Sequence, residues 1–148
     1  MTLLTKDERA ILRRAETFEE LRDIAFGSIR RMDMPFGVGM VCGPISTGGL
    51  NSIKANLAKF KATIDNLSVA GIPLFSQLPY ETAMHRIMQT PYYRKEERHL
   101  LDAFYLPIFE SRLVRTHYFM PDWATSIGAT WEHDQAVRLG IHRVYLIG

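Results

Sequence analysis

The chain has 148 residues, of which 47% are hydrophobic and 23% charged, and its formal net charge is +2. This length suffices for one domain with a buried core, and the composition is ordinary for a globular protein. The small net charge gives no support to nucleic-acid binding. No apolar run approaches the ~18 residues that a membrane span needs, so we expect neither nucleic acid nor membrane as a partner.

The residue types narrow the chemistry further. Cys42 is the only cysteine, which excludes an intrachain disulfide and a thiolate metal cluster and fits a reducing cytoplasm. The five histidines form no His-x-x-x-His pair, so we expect no metal and no other cofactor. The first residues are charged rather than apolar, and a signal peptide is not expected. We therefore expect a cytoplasmic protein.

Two amphipathic helices are predicted within residues 1–34. Thr5 with Glu8, and Thr17 with Glu20, have the spacing of a capping box, and apolar residues follow at helical intervals. We interpret this segment as an N-terminal helical extension ahead of an α/β domain at residues 35–148. The helices are expected to lie across that domain or across a partner subunit.

The next part of the chain predicts a strand, a helix and a second strand. Residues 36–42 are a nearly continuous apolar run, residues 43–49 form a loop rich in glycine, and an amphipathic helix is expected over about 52–69. Residues 72–78 are predicted to form the second strand. Such a unit is normally a right-handed parallel crossover.

The remaining elements complete an α/β pattern. We predict an irregular stretch at 79–99 with a short helix near 82–88, a helix at 97–114 that Pro107 should kink, a strand at 115–120, a helix at 126–139 and a strand at 141–147. The fold class is therefore α/β, with an open, mostly parallel, Rossmann-like sheet of four to five strands flanked by helices. Ligands of such sheets bind beyond the carboxyl ends of the strands.

Candidate ligand-binding residues fall at those ends. The loop from Gly43 offers backbone N–H groups and the Ser46 hydroxyl to an anion or a ribose, although a plain strand-to-helix turn would look the same. Asp122 follows the strand at 115–120, and Ser126 can cap the next helix. Glu132, six residues later, is either catalytic or an ordinary surface glutamate.

Asp102 is a further candidate because apolar residues flank it on a helix that should be largely buried. A buried carboxylate needs a partner or a ligand. The alternative is a salt bridge to a nearby arginine such as Arg98 or Arg112.

Three segments together resemble the nucleoside 2-deoxyribosyltransferase superfamily, which includes nucleotide N-glycoside hydrolases. They are the strand followed by Gly43-Pro44-Ile45-Ser46, the acidic helix position in residues 101–105, and residues 122–132 with Ala136 and Gly140. The resemblance spans about residues 36–147 and leaves the N-terminal helices outside.

By this resemblance, Glu132 attacks the anomeric carbon C1′ and Asp102 is the acid near the base. The implied substrate-binding residues are Gly43, Pro44, Ser46, Asp122, Trp123, Ser126 and Gly128. From its residue type alone, Trp123 is expected either to stack on a base or to pack in the core. The transferases carry an aspartate six residues before the nucleophile, whereas Ser126 stands there in this chain, as in the nucleotide hydrolases. A neutral donor at a helix N-terminus tolerates a phosphate dianion that an aspartate would repel. The resemblance also implies a homodimer or larger homo-oligomer.

The expected function is therefore hydrolysis of the N-glycosidic bond of a nucleoside 5′-monophosphate. The alternatives are a 2-deoxyribosyltransferase, a non-catalytic nucleotide sensor on the same fold, and a structural partner that acts through its N-terminal helices. The Gly43 loop lacks an arginine-rich phosphate clamp, which leaves Arg86, Arg94 or a partner subunit as sources of positive charge.

Overall fold

A computed structural model describes residues 4–32 and 35–148. Within this part of the chain the fold is mixed α/β, with six α-helices and a three-stranded parallel sheet. The elements are α1 (Lys6–Arg14), α2 (Phe18–Arg31), β1 (Val38–Cys42), α3 (Ile53–Val69), α4 (Glu81–Ile87), α5 (Leu106–Glu110), β2 (Val114–Phe119), α6 (Ile127–Leu139) and β3 (His142–Tyr145). None of the described helices combines the length and the apolar character of a membrane span.

The two N-terminal helices begin as predicted. The Thr5 and Thr17 side chains each accept a backbone N–H three residues on, and Glu8 and Glu20 complete both capping boxes. The apolar side chains of α1 and α2 belong to the same buried cluster as residues of β1 and α5. Helix α2, with Phe18 at its start, is therefore covered by the rest of this chain.

The sheet has three strands rather than the predicted four to five, in the order β1-β2-β3. Predicted strands at 36–42, 115–120 and 141–147 correspond to β1, β2 and β3, and both pairings are parallel. The prediction of a further strand at 72–78 is wrong, because this segment makes only an isolated bridge between Leu74 and Gly39. Pro73 has no N–H to extend a ladder, and Ser76 Oγ accepts the Leu78 N–H, which turns the chain into a 3₁₀ helix at Leu78–Tyr80.

The segment before β2 departs from a regular helix. A π-helix at Leu101–Tyr105 runs directly into α5, and Pro107 follows in the first turn of α5, where a proline is tolerated. A π-turn advances more residues per turn than an α-helix and so changes which side chains face the sheet. Asp102 is the second residue of this π-helix, so the π-turn affects the direction in which its side chain faces.

Helix α6 has the predicted start and end. Ser126 is its N-cap and accepts the Ala129 N–H, and Gly140 ends it in the left-handed conformation with φ 68°. Because β1 and β2 are parallel, the loop after β1 and the turn before α6 lie at the same edge of the sheet. The candidate site is built at this edge.

Candidate active site

A cavity of about 140 Å³ lies beyond the carboxyl end of β1. Its walls come from the loop after β1, the start of α6, helix α4 and the π-helix. Sites that enclose a drug-sized ligand occupy roughly 300–1,000 Å³. This cavity is smaller, so it suits a sugar ring whose substituents extend towards the mouth.

The loop after β1 is held in shape by Asn56 of α3. The Asn56 side chain is buried; its Nδ2 donates to the Ile45 and Gly48 carbonyls at 3.0 and 3.1 Å, and its Oδ1 accepts the Leu50 N–H at 2.9 Å. Gly43 is required because a Cβ there would collide with the Met120 side chain. The loop thus approaches the cavity as a fixed wall.

This loop is also joined to the turn before α6. Thr47 Oγ1 accepts the Ile127 N–H at 2.9 Å, and Thr125 Oγ1 accepts the Gly49 N–H at 2.7 Å. The two segments that the sequence singled out separately therefore form one hydrogen-bonded unit. Ser46 from the loop and Ser126 and Gly128 from α6 all line the cavity.

Ser126 has its hydroxyl hydrogen available for a ligand. Its Oγ accepts the Ala129 N–H at 3.1 Å, which uses a lone pair and leaves the O–H as a donor. Backbone N–H groups at a helix start carry partial positive charge. This corner of the cavity is suited to an anionic group.

Glu132 lies on the cavity wall with its side chain almost fully buried. Its Oε2 has no hydrogen-bond partner among the described residues. Burial raises the pKa of Glu132 to about 8; a hydrogen bond with the Cys42 thiol lowers it, and the charge of Glu81 raises it. At neutral pH, burial therefore keeps much of the Glu132 carboxyl in its protonated form.

Glu81 is a second cavity carboxyl that the sequence analysis missed. Its side chain is 18% exposed, lines the cavity and lies 3.5 Å from His85 Nε2. Burial raises the pKa of Glu81, and His85 lowers it. The only sequence signal was an acidic residue at the start of a short predicted helix, with no motif around it.

Tyr105 stands near both carboxyls. Burial raises the pKa of the Tyr105 hydroxyl well above its usual range, and the charges of Glu81 and Glu132 raise it further. The hydroxyl is therefore a neutral donor beside two acids. The π-helix supplies this residue to the cavity.

Gln77 adds an acceptor at the cavity wall. Its Nε2 donates to the Val41 carbonyl at 3.0 Å, and because a carbonyl can only accept, this contact fixes the orientation of the amide. Gln77 Oε1 is left buried and without a partner among the described residues. A ligand hydroxyl or N–H group would satisfy it.

Asp102 lies elsewhere. It is exposed and does not line the cavity, so the prediction that its carboxylate is buried is wrong. Apolar neighbours at adjacent positions in a helix face other directions, and here Leu101 and Tyr105 face the cavity instead. Flanking residues were therefore a poor guide to the position of Asp102.

Three other predicted binding residues also lie outside the cavity lining. The Asp122 carboxylate forms a salt bridge with Lys59 Nζ at 3.1 Å, and Pro44, a residue of the loop after β1, is buried. Trp123 stacks on His133 with ring centroids 4.2 Å apart and does not line the cavity. The residues brought together are Gly43, Ser46, Ser126, Gly128 and Glu132.

Within residues 4–32 and 35–148, no three His, Cys, Asp or Glu side chains are grouped to hold a metal ion. Comparison with protein-family models, with curated proteins and with solved structures gave no match to this chain.

Proposed function

We propose that the protein hydrolyses the N-glycosidic bond of a nucleoside 5′-monophosphate, releasing the free base and a sugar phosphate. The observation that carries this proposal is the Glu132 carboxyl, buried in a small cavity with an unpartnered oxygen. A donor corner made by Ser126 and Gly128 lines the same cavity. A carboxyl and an anion-binding corner are the two features that such a substrate requires.

Glu132 suits a transition state that carries positive charge. Cleavage of an N-glycosidic bond passes through an oxocarbenium-like sugar. Burial disfavours the ionised form of Glu132, whereas a cationic sugar against it would favour that form. The carboxylate therefore interacts more strongly with the transition state than with the ground state, which is the condition for catalysis.

The remaining lining groups position the sugar phosphate. Ser126 O–H and the first turn of α6 would bind the 5′-phosphate, and Ser46 from the adjoining loop lines the same cavity. Gln77 Oε1 accepts a hydrogen bond from a sugar hydroxyl. The cavity volume encloses the sugar, and the base extends towards α4 and the π-helix.

The test is a chromatographic screen of ribo- and 2′-deoxyribonucleoside 5′-monophosphates for free base. We expect release from at least one, and a loss of at least about a thousandfold in Glu132→Gln. Asp134→Asn is the matched control, since Asp134 is exposed on the same helix. Its activity should equal that of the wild type.

The same screen separates the alternatives. Base release only when a second base is added would identify a transferase. No release from any nucleotide, with thermal stabilisation by one of them, would identify a sensor. Cleavage of nucleosides with no action on their monophosphates would contradict the assignment of the Ser126 corner to phosphate.

A further inference from the structure

The proposed hydrolysis needs a proton donor, and Asp102 does not reach the cavity. When the bond between C1′ and the base nitrogen breaks, the bonding electrons remain on the base, which departs readily only if that nitrogen is protonated. The donor must therefore share the cavity with Glu132. Our assignment of the side chain that supplies this proton rests on the proposed function.

Glu81 satisfies the geometric conditions. Its carboxyl lines the same cavity as Glu132, it is largely buried, and its one ion-pair partner among the described residues is His85 at 3.5 Å. It projects from α4, whereas Glu132 projects from α6. The two carboxyls thus approach a bound sugar from different elements.

We propose that Glu81 is the general acid that protonates the departing base, and that it then acts as the general base for water. In the first step, with Glu81 protonated and Glu132 ionised, the Glu132 carboxylate forms a bond to C1′ as the bond between C1′ and the base nitrogen breaks, and the Glu81 proton moves to that nitrogen. In the second step, water attacks C1′, its proton returns to Glu81, and the Glu132 carboxylate is released. No proton is gained or lost by the protein over the cycle.

The titratable surroundings of Glu81 agree with this assignment. Burial raises the pKa of Glu81, which allows it to hold a proton, and His85 opposes this effect, which allows the proton to leave. The other facing groups are Glu132 and the Tyr105 hydroxyl. Because the charge of Glu81 raises the pKa of Glu132, ionisation of one carboxyl favours the protonated form of the other, and a bound cationic sugar beside Glu132 favours the arrangement with the proton on Glu81.

The test compares two kinds of leaving group on the same sugar phosphate. Wild type and Glu81→Gln are assayed with the nucleoside 5′-monophosphates and with 4-nitrophenyl riboside 5-phosphate and its 2-deoxy analogue. Nitrophenolate leaves without a proton. We expect Glu81→Gln to lose about 10²–10⁴-fold on the nucleotides and less than about tenfold on bond cleavage in the nitrophenyl substrates.

Controls separate folding from chemistry. Glu110→Gln changes an exposed carboxylate of α5 and should match the wild type with both substrate classes. Thermal unfolding verifies that Glu81→Gln is folded, and its retained action on the nitrophenyl substrates is a second indication.

Several outcomes would overturn the proposal. The first is that Glu81→Gln loses the same factor in rate on both substrate classes, and the second is that it loses none on either. The third is that Asp102→Asn, rather than Glu81→Gln, loses rate on the nucleotides alone. If the wild type cleaves none of the substrates, the proposed function itself falls and the assignment of Glu81 falls with it. If the wild type cleaves the nucleotides but the loss in Glu81→Gln is the same for both leaving groups, only the assignment of Glu81 as the general acid is wrong, and the proposed function stands.

Discussion

Glu132 and His117 are both buried ionisable side chains with at least one polar atom that has no hydrogen-bond partner among the described residues, yet their surroundings differ. Both ring nitrogens of His117 have no partner among the described residues, and the ring forms T-shaped contacts with Phe109 and Phe119, with centroids 4.5 and 6.1 Å away. Glu132 faces a cavity and has the Cys42 thiol and Glu81 as neighbours. The His117 ring packs against aromatic rings, whereas the Glu132 carboxyl borders a cavity that a ligand can enter.

The difference shows that an unpartnered buried atom is not by itself the sign of a site. Such an atom costs free energy wherever it lies. Only when it borders a cavity with complementary groups can a ligand recover that cost. The neighbours of the His117 ring named here are aromatic rings, whereas Glu132 lies among the polar groups that the proposed catalysis would use.

The largest expected effect is the pH dependence of stability caused by Glu132. Its pKa is about 8 in the folded chain and 4.5 in its usual range, so the protonated carboxyl favours folding below pH 4.5. That contribution is lost as the pH rises through 8, and it amounts to roughly 5 kcal/mol. Glu132→Gln cannot ionise, so its free energy of unfolding should exceed that of the wild type increasingly from pH 6 to pH 9.

Urea unfolding at several pH values checks this prediction. Asp134→Asn, on the exposed face of α6, should follow the wild-type curve. Parallel curves for the wild type and Glu132→Gln would show that the carboxyl is solvated, and the comparison with His117 would then fail.

His117 should act in the opposite direction. Burial lowers its pKa from 6.5 to about 4. The stability contributed by the neutral ring is complete above pH 6.5 and is lost as the pH falls towards 4, by about 3 kcal/mol. In His117→Leu this part of the acid destabilisation should disappear, as measured by urea unfolding at pH 7.5 and pH 5.

The exposed His142 provides the control, since His142→Gln should leave the acid dependence unchanged. If His117→Leu lost stability with acid as steeply as the wild type, the buried ring would not be the group responsible.

Local signals in the sequence were sufficient where a few neighbouring residues decide the structure. The caps at Thr5, Thr17, Ser126 and Gly140 were all predicted and are confirmed, because each bond joins residues within one turn. The prediction of a strand at 72–78 failed because the apolar pattern of this segment indicates that it is buried but not that it pairs with another strand. Pro73 reduced the pairing to one bridge.

The site was predictable on one side only. Gly43, Ser126 and Glu132 follow strand ends or begin a helix, so their meeting at one sheet edge follows from the parallel order. Glu81 and Asp102 lie in a region without regular periodicity. A short helix near 82–88 was predicted and corresponds to α4, but nothing in its sequence showed that Glu81 would face the site. The π-helix that carries Asp102 was not predicted at all.

The smallest expected effect compares two serine caps. Ser52 and Ser126 make the same bond to the third residue of their helices, at 3.2 and 3.1 Å, but only Ser126 lines the cavity. Replacing either by alanine should lower the free energy of unfolding by about 1 kcal/mol. Their effects on activity should differ.

Ser126→Ala should also lower kcat/KM for a nucleoside 5′-monophosphate by about tenfold, the value of one hydrogen bond to a charged group. It should leave residual activity on the free nucleoside unchanged. Ser52→Ala should change neither rate. Because the two variants lose the same capping bond, a difference that appears only with the phosphorylated substrate can come only from a contact between the Ser126 hydroxyl and the phosphate; equal behaviour would make Ser126 a cap and nothing more.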